Sequence, residues 1–193
     1  MEQATAEYGP SVTKRLRPAA DRLKIAWPPK DITILAFKSE RILEVWAKND
    51  DGVQKMLAHY PILAASGELG PKRREGDRQV PEGVYSLTFL NPNSRYHLSI
   101  KVDYPNASDI HNSVLDRSQM GGDIFVHGSD VSIGCIAIGN EAIEQVFCLA
   151  AWAKKREIII SPVDFRKGRT LQTAEAWVDA MYRKVSQQLM KFR

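Results

Sequence analysis

The chain contains few of the residues that hold disulfide-rich and metal-binding domains together. It has two cysteines, Cys135 and Cys148, among 193 residues, which excludes a disulfide-dense scaffold. The four histidines are scattered, and the sequence contains neither a C-x-x-C nor an H-E-x-x-H spacing. The pattern therefore predicts no metal site, and nothing in the sequence indicates another cofactor.

Long apolar runs are also missing. No segment approaches the roughly 18–20 apolar residues that a membrane-spanning helix needs. Residues 1–30 lack the 7–15-residue apolar core of a secretory signal. There is no RNP string, zinc-finger spacing or basic helix with interleaved aromatics, which argues against nucleic acid as a partner. We therefore expect no membrane span and no nucleic-acid binding.

Charge and length set further limits. The net charge is +4 and comes from short basic clusters, which are typical of solvated faces and favour anionic partners only in a general way. With 44% hydrophobic and 26% charged residues, the chain is long enough for one sizeable core and short for two. We therefore predict one domain with flanking segments.

Local patterns predict a mostly β domain with accessory helices, an α+β protein by sequence alone. Residues 1–30 form an N-terminal arm, helical between Val12 and Ile25 and ending at the Trp27-Pro28-Pro29 turn. Residues 52–59 are expected to form one or two helical turns. A helix over 140–152 is capped by Asn140, and the tail carries an amphipathic helix. Strands are predicted at 31–38, 41–48, 62–65, 83–90, 96–102, 124–126 and 157–161.

The stretch from Asp123 to Cys135, DIFVHGSDVSIGC, carries the clearest chemical signal. It places His127 and Cys135 beside glycines at the end of an apolar run. A thiol reacts as its thiolate, and a nearby imidazole can take its proton, which is the logic of Cys–His acyl transfer. Gly134 allows close backbone approach and could aim N–H groups at an oxyanion. The alternative is a Cys135–Cys148 disulfide, although Cys148 lies in an apolar helical pattern typical of a buried free thiol.

The string HGSDVSIGC resembles the signature of the YkuD-type L,D-transpeptidases, in which HG is followed by S-x-G-C. Further motifs upstream extend the resemblance over residues 31–163 to the branch of that family that includes the murein amidase detaching Braun's lipoprotein from peptidoglycan. These motifs are SGELGPK from Ser66, GD from Gly76, PEGVY from Pro81, NPNSRYH from Asn91 and YPN from Tyr104.

The resemblance implies a β-sandwich or closed-sheet L,D-transpeptidase fold over 31–165, with the 166–193 helix packed on or beside it. It implies that Cys135 attacks an amide at the L-centre of meso-diaminopimelate, with His127 as base. The imidazole would be oriented by the Gly128 carbonyl, and Ser132 would bond around the site. The expected substrate contacts, some chosen by charge alone because a guanidinium or ammonium suits a carboxylate, are Arg95, His97, Tyr104, Lys72 and Arg73.

Ile133 and Ala137 replace a histidine and an arginine of the commoner family pattern, as in the lipoprotein-detaching branch. This favours hydrolysis of stem peptides, with peptidoglycan-bound lipoprotein as a further partner. The alternatives are a transpeptidase, an interbacterial effector with the same chemistry, and a non-catalytic peptidoglycan-binding module. A reactive thiol of low pKa at Cys135 would argue against the binding module. We expect a periplasmic or otherwise exported protein, whose signal has been removed or whose export reads no such signal.

Overall fold

The computed structural model describes residues 1–193, and a nine-stranded sheet forms its framework. The mostly β fold with accessory helices predicted from the sequence is confirmed. The strands are β1 (Asp31–Phe37), β2 (Ile42–Lys48), β3 (Gln54–Pro61), β4 (Ala64–Ala65), β5 (Gly83–Ser94), β6 (His97–Val102), β7 (Phe125–His127), β8 (Ile136–Ala137) and β9 (Lys155–Ser161). The α-helices are α1 (Glu2–Arg22), α2 (Ala107–His111), α3 (Asn140–Trp152) and α4 (Ala176–Leu189).

The strand order is β3-β2-β1-β9-β5-β6-β7-β8-β4, and the long strand β5 joins the two halves of the sheet. The first residues of β5, Gly83 to Ser86, pair antiparallel with β9, and its later residues pair with β6. The register shifts between Leu87 and Phe89. A bulge of this kind bends a strand and increases its twist. It therefore separates the half that contains β1 and β9 from the half that carries β7 and β8.

The two central strands β1 and β9 are covered on both faces. Their side chains alternate between two cores, as the period of two in a strand requires. Ile34 and Ile158 face the core that α1 and α3 cover, whereas Leu35 and Ile159 face the core under α4. The buried residues of α4 are Val178, Tyr182, Val185 and Leu189.

Helix α1 begins ten residues before the predicted start at Val12. Its buried residues continue the helical spacing toward the N-terminus as far as Ala4. It packs against α3 at Gly9, where an added Cβ would lie 3.2 Å from the Trp152 ring. The N-terminal segment therefore contributes to the core instead of projecting from it. None of the helices combines the length and the apolar character that crossing a membrane requires.

Two local predictions were wrong. Residues 52–59, expected to be helical, lie largely in strand β3, which pairs antiparallel with β2. Only Leu57 is buried along this edge strand, so its sequence carries little strand periodicity and the pairing decides its conformation. Asn140 is not the cap of α3, because Gly139 occupies that position. The Asn140 side chain instead accepts a hydrogen bond from the Ser129 N–H, at 2.8 Å.

A buried ion pair connects the sheet, the loop before β5 and helix α4. Glu82 is fully buried, and its Oε1 accepts hydrogen bonds from Lys38 Nζ at 2.9 Å and from Gly70 N at 2.8 Å. Its Oε2 accepts one from the Tyr182 hydroxyl at 2.7 Å. Because both oxygens are satisfied, the charge is tolerated inside the protein. The loop of residues 66–82, which reaches the candidate site, is thereby fixed to the core.

Candidate active site

The pairing of β7 with β8 brings Cys135 and His127 to one face of the sheet. The two strands are parallel, with Val126 opposite Ile136 and His127 opposite Ala137. Cys135 immediately precedes β8 and so lies across from the start of β7, diagonal to His127. Because side chains alternate along strands, those at 127, 135 and 137 point the same way. The thiol is partly exposed, whereas His127 is 2% exposed.

The imidazole of His127 is held in one tautomer. Its Nδ1 lies 2.6 Å from the Gly128 carbonyl oxygen, and a carbonyl can only accept, so Nδ1 carries the proton and Nε2 is free to accept one. The Tyr96 ring covers the imidazole, with ring centroids 4.6 Å apart. Burial lowers the pKa of His127, and the Gly128 carbonyl partly opposes that shift. The ring is therefore a neutral base at pH 7.

Gly128 is in a position where a side chain has no room. A Cβ there would lie 2.6 Å from the Tyr96 carbonyl oxygen and 2.7 Å from Asn140 Oδ1. Its N–H donates to the Leu98 carbonyl at 3.1 Å. The backbone that orients His127 is thus fixed by strand β6 on one side and by the start of α3 on the other. The hydrogen bond to His127 is the one that the family resemblance implies.

The backbone of the turn before Cys135 is hydrogen-bonded to the hydroxyl groups of two serines. Ser132 Oγ accepts from the Cys135 N–H at 2.9 Å and donates to the Cys135 carbonyl at 2.6 Å. Gly134 has a φ of +90°, and its N–H donates to Ser66 Oγ at 2.6 Å. The N–H groups of Gly134 and Cys135, which lie beside the thiol and could bind an oxyanion, therefore both have partners within the protein. The N–H of Ile133, by contrast, donates no hydrogen bond within the protein.

The thiol of Cys135 is in its neutral form. It donates to the Asp123 carbonyl, with 3.6 Å between Sγ and oxygen, and makes no hydrogen bond to His127. Burial raises the pKa of Cys135 and the charge of Asp123 adds to this shift, whereas a hydrogen bond from the Phe125 backbone and the charge of Lys72 oppose it. The raised pKa does not supply the evidence against a binding module that a thiol of low pKa would have given. Cys135 and His127 form a neutral pair, in which proton transfer must accompany attack. Cys148 is free and buried, so no disulfide is present.

Three of the expected substrate contacts are engaged within the protein. Lys72 is buried, and its Nζ lies 2.5 Å from Asp77 Oδ1. The Tyr104 hydroxyl, also buried, donates to the Lys72 carbonyl at 3.3 Å. Arg73 forms an ion pair with Glu175 just before α4, and its guanidinium lies 5.0 Å from the Trp177 ring centroid. These side chains hold the 66–82 loop in place.

Arg95 and His97 lie in the turn that covers His127. Arg95 lines a cleft of about 550 Å³ together with Tyr96, Ser129 and Asp130, and it forms no ion pair or side-chain hydrogen bond within the protein. His97 Nε2 lies 2.8 Å from Glu144 Oε1 of α3, and its backbone has a φ of +73°. His97 therefore fixes the turn, and Arg95 is left free to contact a ligand.

Sequence reasoning did not assign roles to three residues that contact His127, Cys135 or the neighbouring Gly134. Ser66 and Tyr96 were within the recognised motifs, but only their three-dimensional neighbours reveal what they touch. Asp123 contacts the thiol through its backbone carbonyl, which leaves no side-chain signal in a sequence. No group of three or more His, Cys, Asp or Glu side chains is arranged to hold a metal ion.

Comparison with known proteins identifies relatives for most of the chain. The model of the YkuD family, the L,D-transpeptidase catalytic domain, matches residues 31–160. The Escherichia coli protein named "Putative L,D-transpeptidase YafK" is 40% identical over 118 residues, which make up 60% of this chain and 46% of YafK. The chain thus spans about half the length of the curated relatives it matches.

Two solved structures share the fold over most of the chain. The helical cell shape determining protein Pgp2 of Campylobacter jejuni superposes with a TM-score of 0.58 at 22% identity, covering 90% of this chain and 60% of Pgp2. Bd1075 of Bdellovibrio bacteriovorus superposes with a TM-score of 0.51 at 22% identity, covering 87% of this chain and 59% of that protein. At this identity both likenesses concern the fold alone.

Proposed function

This chain belongs to the YkuD family of L,D-transpeptidase catalytic domains, and we propose that it is a cysteine-dependent enzyme that cleaves an amide bond in peptidoglycan stem peptides, at the L-centre of meso-diaminopimelate. The observation that carries the proposal is the state of His127. A neutral imidazole with Nδ1–H bound to Gly128 and Nε2 free, on the same face as a partly exposed thiol, is arranged for proton transfer from sulfur.

In the proposed mechanism, His127 Nε2 takes the proton of Cys135 as Sγ attacks the carbonyl carbon. The imidazolium formed in this step is stabilised by the Gly128 carbonyl, which already accepts the Nδ1–H. His127 then protonates the leaving amine, the C–N bond breaks and a thioester remains. Water, deprotonated by His127, attacks the thioester carbonyl carbon, the C–S bond breaks to release the carboxylic acid, and the imidazolium returns its proton to Sγ. Formation of the thioester and its hydrolysis each use the imidazole once as a base and once as an acid.

The developing oxyanion needs donors, and the free N–H of Ile133 is the first candidate. The N–H of Gly134 joins it once Ser66 Oγ, which now accepts that hydrogen bond at 2.6 Å, gives up its place to the substrate oxygen. Ser66 also donates to the Arg78 carbonyl at 2.7 Å, so it retains a partner after the exchange. The N–H of Cys135 stays with Ser132 and shapes the turn.

The proposed polarity of the substrate follows from the chemistry. His127 protonates the leaving amine, so the leaving group lies at the His127 end of β7. The cleft lined by Arg95, Ser129 and Asp130 is at that end. Arg95 has no partner in the protein and suits the carboxylate of a departing amino acid. Asp130 lines the same cleft, and its carboxylate would attract the amine of that amino acid.

We propose hydrolysis as the outcome, because Ile133 and Ala137 replace polar residues of the commoner motif. The Ile133 side chain is 77% exposed and adds apolar surface where a transferase needs contacts to an amine. Transpeptidation is the second candidate, which the naming of YafK and the open cleft beside His127 both favour. Under either outcome, residues 31–165 form the catalytic unit, the 1–30 and 166–193 segments complete its core, and the protein acts in the periplasm or another exported location.

The test is mass spectrometry of muropeptides after incubation of the protein with sacculi that carry bound lipoprotein. Hydrolysis predicts released protein and shortened stem peptides, absent with Cys135→Ala. New diaminopimelate–diaminopimelate cross-links would instead establish a transpeptidase. Sedimentation with sacculi and no change in any muropeptide would refute an enzyme and leave a binding module.

A further inference from the structure

A second cleft lies at the opposite end of β7 from the Arg95 cleft. Its volume is about 360 Å³, and its lining includes Lys101, Asp103, Arg117, Gly122 and Asp123. Asp123 provides the carbonyl that accepts the Cys135 thiol hydrogen bond, at 3.6 Å. One residue of this cleft therefore contacts the thiol directly, whereas the Arg95 cleft is lined by Ser129 and Asp130, which follow His127 in the chain.

Arg117 is fixed to the backbone that reaches the thiol. Its Nη1 donates to the Gly121 carbonyl at 3.1 Å. Its Nη2 lies 3.6 Å from the point that a Cβ on Gly122 would occupy. Because residues 121–123 run directly to the carbonyl that holds Sγ, the guanidinium has a defined position relative to the nucleophile. The absence of a side chain at Gly122 keeps the space beside it open.

Arg117 is the unpaired cation of this cleft. Lys101 forms an ion pair with Asp123, with 3.1 Å between Nζ and Oδ1, and its ammonium lies 5.7 Å from the Phe125 ring centroid. Asp103 forms no ion pair. Arg117 is exposed and has no carboxylate within ion-pair distance, so most of its N–H donors remain available. Asp103, whose charge has no partner, repels an anionic ligand from its part of the cleft and favours the Arg117 side.

We propose that Arg117 forms a carboxylate subsite on the acyl side of the scissile bond, specific for a stem-peptide carboxylate that precedes the attacked diaminopimelate residue. The inference rests on the proposed function, because the direction of the peptide follows from which group His127 protonates. With the leaving group at the Arg95 end, the acyl part lies at the Cys135 end, where Arg117 is found. A guanidinium binds such a carboxylate through two parallel N–H donors.

The test uses two synthetic stem peptides that differ only in whether this acyl-side carboxylate is free or amidated. Binding is measured by calorimetry in the Cys135→Ala protein, so that no turnover interferes. We expect the free carboxylate to bind about ten- to a hundredfold more tightly, and Arg117→Gln to abolish that preference. Arg95→Gln, the matched control at the other end of β7, should weaken both peptides equally. Thermal unfolding checks that each variant is folded.

Equal affinity for the two peptides, or a preference that survives Arg117→Gln, overturns the subsite. Turnover of the same peptides by the unsubstituted enzyme is scored separately. A preference that depends on Arg117, combined with no cleavage of either peptide, supports the subsite and refutes the proposed catalysis. Cleavage of both peptides with equal efficiency, and with no loss of activity in Arg117→Gln, supports the proposed catalysis and refutes the subsite.

Discussion

Substituting alanine for Gly128 should separate catalysis from stability. The added Cβ would lie 2.6 Å from the Tyr96 carbonyl oxygen and 2.7 Å from Asn140 Oδ1, closer than real contacts allow. The carbonyl belongs to the backbone and cannot rotate away, so the chain at 128 must shift. Overpacking of this kind costs about 1–3 kcal/mol. A domain of ordinary stability, about 5–15 kcal/mol, stays folded after such a loss.

Activity should fall much further than stability. The same shift moves the carbonyl that orients His127 Nδ1 at 2.6 Å, and general-base catalysis contributes about 10²–10⁴-fold. We therefore expect the turnover number of Gly128→Ala to fall at least about a hundredfold. Stem-peptide hydrolysis gives the rate, and urea unfolding gives the free energy of unfolding.

Gly168→Ala is the matched control. Gly168 has a φ of +74°, and no other atom lies within 4 Å of its added Cβ, so the substitution costs about 1–2 kcal/mol through backbone strain alone. It should leave the turnover number unchanged. If Gly128→Ala retains full activity, or if Gly168→Ala loses as much, the assigned role of the Gly128 carbonyl is wrong.

Four further outcomes follow from the site and the core. Cys135→Ala should abolish turnover with the fold intact, whereas Cys148→Ala should keep most activity and lose only packing energy; turnover by Cys135→Ala would refute the mechanism. Because burial lowers the pKa of His127, the acid limb of the pH–rate profile should lie below pH 6.5. Because burial raises the pKa of Cys135, iodoacetamide should alkylate this thiol more slowly at pH 7 than it alkylates an ordinary thiol. Faster alkylation would indicate that Cys135 and His127 form an ion pair. The same His127 shift makes the unfolded chain bind protons first, so stability measured by urea unfolding should fall as the pH drops below 6.5. Glu82→Gln should cost about 3–5 kcal/mol, since it leaves the Lys38 charge buried without its partner; a loss below 1 kcal/mol would show that Lys38 becomes neutral or reaches water.

The sequence predicted most of the strands but not all of them. Strands β1, β2, β5, β6 and β9 have β-branched or aromatic runs whose ends are marked by turn residues, which is local information. Strand β3 has Gln54, Lys55 and His59 along it and buries Leu57 alone. Its conformation is set by hydrogen bonds to β2, and the local sequence of the segment does not indicate such a contact.

The sequence indicates the chemistry of the candidate site but not its electrostatics. Cys135 and His127 stood out because their residue types and motif are specific. Whether the thiol has a raised or lowered pKa depends on burial, which the sequence does not give. In the sequence, Lys72 and Arg73 look like free cations, because the sequence does not show their ion-pair partners. The ion-pair partner of Arg73 is Glu175, which is about a hundred positions away in the chain. The residues around Arg73 and Glu175 in the sequence do not indicate that the two form a pair.

The parallel pairing of β1 with β9 determines when this chain can fold during synthesis. Asp31 pairs with Lys155 and Phe37 with Ser161, and β9 separates β1 from β5 in the sheet. The β1–β2 hairpin can form early from local contacts, but its inner edge stays open until β9 has left the ribosome. Closing such a distant contact is slow, and an open edge can pair with other chains. In a nascent chain that ends before residue 155, the inner edge of β1 therefore has no partner strand and is open to pairing with other chains.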